Sequence, residues 1–72
     1  MRKLQATTWQ EDDLFVAQCL EVDIVSQGAT ASEALANLRE AVELFFETAS
    51  ESEIRERVHE NLDLTHFEIA VG

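Results

Sequence analysis

Hydrophobic and polar positions alternate along the first third of the chain, then switch to a three- and four-residue period. Over Lys3–Trp9 the β-favouring residues Thr7, Thr8 and Trp9 predict a strand, and the polar run Glu11-Asp12-Asp13 predicts a turn. Leu14–Leu20 reads as a second strand, and the short turn between the two predicts an antiparallel hairpin. Glu21-Val22 is a bend, and Asp23–Gln27 is a third strand ended by Gly28. Along the second strand Leu14 and Val16 point to one side, and Phe15, Ala17 and Cys19 to the other. A helix covers only one side of a sheet. The second apolar side therefore favours an oligomer or a bound partner.

The middle of the chain predicts a long helix from about Ala31 to Thr48. Ala31, Ala34, Leu35, Leu38, Ala41, Val42, Phe45, Phe46 and Ala49 form one continuous stripe, with Glu33, Asn37, Glu40, Glu43 and Glu47 on the opposite side. At about 1.5 Å per residue such a helix crosses a small sheet. Leu44 is the misfit, an apolar residue among the acids. Thr30 and Glu33 stand at capping-box spacing, so the Thr hydroxyl is expected to accept the Glu33 N–H and the Glu33 carboxylate to reach back to Thr30. Ser52 is the expected cap of a second, short helix carrying Ile54 and Val58.

Leu64–Val71 alternates again, with Thr65, Phe67, Ile69 and Val71 against Leu64, His66, Glu68 and Ala70, and predicts a fourth strand. A helix between strands three and four allows a right-handed crossover and parallel pairing; an exchanged or edge-added last strand fits the pattern equally. The expected fold is α+β, a two-layer β-β-β-α-(α)-β arrangement. An antiparallel three-stranded meander and a C-terminal strand carry one long helix packed on the sheet, as a single domain over residues 1–72.

Size and charge narrow the function. A chain of 72 residues buries only about 60% of its unfolded surface, and such scaffolds usually need a staple. With one cysteine, Cys19, no internal disulfide is possible, which leaves self-association as a dimer or tetramer. The start of the chain lacks an apolar leader and no run approaches the ~18 apolar residues of a membrane span. A lone thiol then makes the reducing cytoplasm the expected compartment. Fifteen acidic residues against five basic ones leave a net charge of -10. That charge repels nucleic acid; on composition alone it serves solubility first, with an acidic surface that steers toward a basic protein as the alternative.

Catalysis and metal chemistry find little support. Cys19, His59 and His66 stand at no ligand spacing, so neither metal nor cofactor is expected. Cys19 reads as a small apolar filler. The acids on or beside strands, Glu11, Asp12, Asp13, Glu21, Asp23 and Glu68, raise a carboxylate-dependent nuclease. Two-metal hydrolysis needs such groups converging within about 4 Å of a metal pair. These acids fall mostly at turns and strand ends, and no cation cluster is present to hold a nucleic acid, so no enzyme is expected. Gly28 stands alone and forms no phosphate loop.

One stretch carries a family resemblance. The run from Trp9 to Gly28 and its continuation to Glu47 resemble the HicB-like antitoxin family. The carriers are a "dG-x-aV-A" hairpin and the block "S-Q-G-x-T-x-E-E-A-L-x-N-L-x-E-A", here Ser26-Gln27-Gly28-Ala29-Thr30-Ala31-Ser32-Glu33-Ala34-Leu35-Ala36-Asn37-Leu38-Arg39-Glu40-Ala41. The resemblance implies a β-β-β-α-β domain of degraded ribonuclease-H-like type without that activity. It also implies binding to a HicA toxin, a small basic endoribonuclease, and inhibition of it. Many such relatives add a C-terminal DNA-binding domain; this sequence has no room for one after the last strand, so direct DNA contact is not expected. An acidic surface that mimics phosphate would occupy the toxin's basic groove. Glu11, Asp12, Asp13, Glu21 and Asp23 are its candidate residues, with Trp9 and Phe15 as aromatic anchors. The motif residues Gly28, Thr30, Glu33, Ala34, Asn37 and Ala41 read as fold-builders. A solitary self-assembling protein without a toxin is the competing expectation.

Overall fold

The computed structural model describes residues 2–60 and 62–71. Three strands, β1 (Ala6–Glu11), β2 (Leu14–Cys19) and β3 (Val25–Gly28), are followed by two helices, α1 (Ala31–Thr48) and α2 (Glu51–Arg57). Among the described residues the strands form one antiparallel sheet in the order β1-β2-β3. The β1–β2 ladder runs from Ala6 opposite Cys19 to Glu11 opposite Leu14, so the turn contracts to Asp12-Asp13. The first strand thus lies later than the Lys3–Trp9 expectation, because pairing continues through Gln10 and Glu11. Asp12 takes φ 51, in the left-handed region that tight hairpin turns demand and that Asp tolerates better than most residues.

The core lies between α1 and the strands β2 and β3. Ala17, Cys19 and Val22 meet Ala34, Leu38 and Val42, with Phe15, Phe45, Phe46 and Val58 packed around them. Burial of Val22 or Leu38 contributes about 1.5–3 kcal/mol each. The buried residues of α1 are spaced by four, the centre of the apolar stripe read along the sequence. All six residues of β1 are exposed, because α1 packs over β2 and β3 and leaves β1 largely uncovered.

The junction into α1 is built from the motif residues. Thr30 is extended and its hydroxyl accepts the Glu33 N–H at 3.1 Å. The Glu33 carboxylate reaches one residue further back than a capping box requires and accepts the Ala29 N–H at 3.3 Å. Asn37 Nδ2 donates to the Gln27 carbonyl at 2.8 Å, pinning the helix to β3. Gly28 is buried, and a Cβ placed on it would lie 2.7 Å from the Ala34 backbone nitrogen, so only glycine lets helix and strand approach this closely. Ala34 is fully buried and Ala41 half-buried on the same helix.

Two further expectations change. The cap of α2 is Ser50, not Ser52: Ser50 Oγ accepts the Glu53 N–H at 3.2 Å, since Ser50 and Glu53 have the three-residue spacing a cap needs. Residues 62–71 form no strand. They are exposed throughout, and the last ladder contact before them is the single antiparallel bridge Val22–Val58. That bridge and the bond from His59 N–H to the Glu21 carbonyl at 2.6 Å fix the chain at the start of β1, beyond which the segment meets no sheet edge of its own.

Candidate protein-docking surface

Side chains alternate across a strand, so the register sorts the sheet into two faces. The inner face, toward α1, carries Phe15, Ala17 and Cys19. The outer face carries Leu14, Val16 and Gln18, with Trp9 and Gln27 opposite Val16. Val16 is buried without a helix above it, because it sits between those two neighbours in the central strand. Trp9 is 37% exposed, and its indole N–H donates to Glu11 Oε1 at 3.0 Å. Leu14 and Val25 also show apolar surface.

Of the seven residues singled out as partner-binding, the fold gathers four. Trp9 and Glu11 share the outer face, and Asp12 and Asp13 form the tip of the same hairpin, all exposed. The Gln10 side-chain amide donates to the Asp12 carbonyl at 3.3 Å and braces the turn. Three carboxylates in succession at a narrow tip make a compact negative feature in open solvent. Phe15 lies on the other face, half-buried against the core, and is no surface anchor.

Glu21 and Asp23 occupy the opposite end of the sheet. Glu21 is 7% exposed, and its carboxylate accepts the Gln5 N–H at 2.7 Å and faces Cys19 Sγ at 3.7 Å. With its carbonyl taken by His59, this residue stitches the N-terminal segment, the end of β2 and the exit of α2. Asp23 is exposed, with His59 Nε2 at 3.8 Å and Arg57 donating to its carbonyl at 3.5 Å.

A second feature had no counterpart in the sequence reading. A groove runs between the N-terminal segment leading into β1 and the flank of α1, floored by Leu4, Leu38, Val42 and Phe46. Arg2, Lys3 and Arg39 line it, three of the five basic residues in the chain. The Arg2 guanidinium lies 5.0 Å over the Phe46 ring and pairs with Glu60 at 2.9 Å. Its signal was the pair of cations before β1, which needed the placement of Arg39 to become a site. Among the described residues no group of three or more His, Cys, Asp or Glu gathers in a way that could hold a metal. No helix among them is long and apolar enough to cross a membrane.

Fold and surface together define a small two-layer α+β domain with an acidic hairpin at one end and, along one edge, an apolar groove rimmed by charges of both signs. Residues 3–70 match a family of unknown function, DUF7387, and the chain belongs to that family. No curated protein and no solved structure matches the chain.

Proposed function

We propose that this chain is an antitoxin-like binding module, without chemistry of its own, whose hairpin end engages a small basic ribonuclease of the HicA type. The observation that carries the reading is the run Glu11, Asp12 and Asp13, exposed at the hairpin tip beside the exposed ring of Trp9. The motif resemblance from Trp9 to Glu47 supports it, as does the net charge of -10.

The mechanism follows from charge and shape. A ribonuclease holds RNA phosphates in a basic groove. The three carboxylates take the phosphates' place, the field of the acidic domain speeds encounter, and the Trp9 ring provides the desolvated anchor that slows release. The bound domain then excludes RNA. Degraded ribonuclease-H-like ancestry, a cytoplasmic setting and the absence of direct DNA or membrane contact belong to the same reading.

The test is calorimetric titration of a HicA-type toxin with the wild-type chain and with Glu11→Gln/Asp12→Asn/Asp13→Asn. Asn tolerates the left-handed turn, so the hairpin persists. The triple variant is expected to bind at least about tenfold more weakly and to lose most of the salt dependence. No binding by the wild type at micromolar concentration overturns the proposal.

A second reading, a self-assembling dimer or tetramer that acts without a toxin, is favoured by the exposed apolar side chains of residues 62–71. Light scattering that finds only monomer at micromolar concentration removes it.

A further inference from the structure

We infer that the free edge of β1 and the groove beside it receive residues 62–71 of a second copy of this chain, each copy giving its segment to the other. The inference rests on the self-association reading above and names the contact that produces it.

The receiving surface is an unprotected strand edge. β1 offers six exposed residues without proline or lysine, and no strand lies on its outer side among the described residues. Natural edges are usually blunted by such residues or covered, because their free N–H and C=O groups template further pairing. The opposite edge is shorter and partly taken: β3 has only four residues, and Asn37 binds its Gln27 carbonyl.

The segment has the matching form. Thr65, Phe67, Ile69 and Val71 alternate with smaller or polar residues, a β-favouring row on one face. Phe67 is 82%, Ile69 72% and Val71 84% exposed. No hydrogen bond joins residues 62–71 to another described residue. The radius of gyration is 14.2 Å, against about 11 Å for a compact chain of this length. The segment therefore stands off its own body.

Position selects a second copy, because the segment leaves its own chain without docking on it. The groove is lined by Arg2, Lys3 and Arg39 together with Glu43 and Glu47, and Arg2 is already paired with Glu60, so its apolar floor, and not its charge, is what the segment's Phe67, Ile69 and Val71 match. The Val22–Val58 bridge and the Arg2–Glu60 pair hold the departure point of the segment beside the start of its own β1. A two-fold axis there sets each departing segment next to the other copy's groove, so one exchange closes both edges. Phe67, Ile69 and Val71 would then turn toward Leu4, Leu38, Val42 and Phe46.

The test uses the full chain. Light scattering coupled to gel filtration is expected to give twice the 8.1 kDa chain mass. Phe67→Glu and Ile69→Lys, at exposed positions outside the core, are expected to keep the wild-type helical circular dichroism. Each should raise the dimer dissociation constant by at least about tenfold. Isotope-filtered NOEs in a mixture of labelled and unlabelled wild-type chains should connect residue 67 or 69 of one copy to Phe46 or Leu38 of the other. A monomeric wild type overturns both the inference and the self-association reading. A dimer indifferent to both substitutions, or contacts found only within one chain, overturns the inference and leaves self-association standing.

Discussion

At the β3 edge the chain ties helix to strand with its own side chains: Asn37 binds the Gln27 carbonyl, Thr30 caps the helix and Gly28 admits it at close range. At the β1 edge, six exposed residues stand beside a groove in which Arg2 pairs with Glu60 and lies over Phe46, but no strand of the same chain among the described residues lies along the edge. The difference teaches where this small domain has spent its few residues. Contacts between neighbours in sequence, from Gln27 to Asn37, finish one side. The other side needs a segment some sixty positions away, and the structure leaves that segment undocked.

The comparison breaks most severely at Gly28. Its φ is not positive, so the glycine is required for space and not for backbone freedom. Gly28→Ala sets a methyl 2.7 Å from the Ala34 backbone nitrogen and is expected to cost about 2–3 kcal/mol, read from urea unfolding. Next is Glu21→Ala, which strands the part-buried Gln5 N–H. A loss of about 1–3 kcal/mol is expected from the same measurement. Thr30→Ala removes one cap and should cost about 1 kcal/mol, with α1 frayed at its first turn. The smallest effect belongs to the other edge: Ile69→Asp, studied at a concentration at which light scattering finds only monomer, should change stability by less than about 0.5 kcal/mol.

Much of the hairpin and of the junction into α1 was legible in the sequence. The hairpin acids mark a turn, the alternation marks β2, and Thr30-x-x-Glu33 marks a helix start. These signals are local, and local chemistry acts on them without help from the rest of the chain. Details set by geometry escaped. Glu33 reaches Ala29, Ser50 and not Ser52 caps α2, and Glu21 turns inward where its charge alone suggested solvent. The alternation of Leu64–Val71 predicts a strand that the structure does not form, since a pattern specifies which face is apolar and not which edge will receive it. The acidic site was legible in part for the same reason. Glu11, Asp12 and Asp13 are neighbours in sequence and remain together, whereas Glu21 and Asp23 lie at the far end of the sheet. The basic groove was hidden because Arg2 and Arg39 meet only through the fold.

The central claim is that one edge is finished within the chain and the other by a second copy. Amide hydrogen exchange measured across a hundredfold range of protein concentration tests it most directly. The account predicts protection of β3 and α1 that is independent of concentration, with residues 62–71 exchanging freely when dilute and becoming protected together with β1 as concentration rises. Protection of residues 62–71 that is already present when dilute, or absent at every concentration, would contradict it.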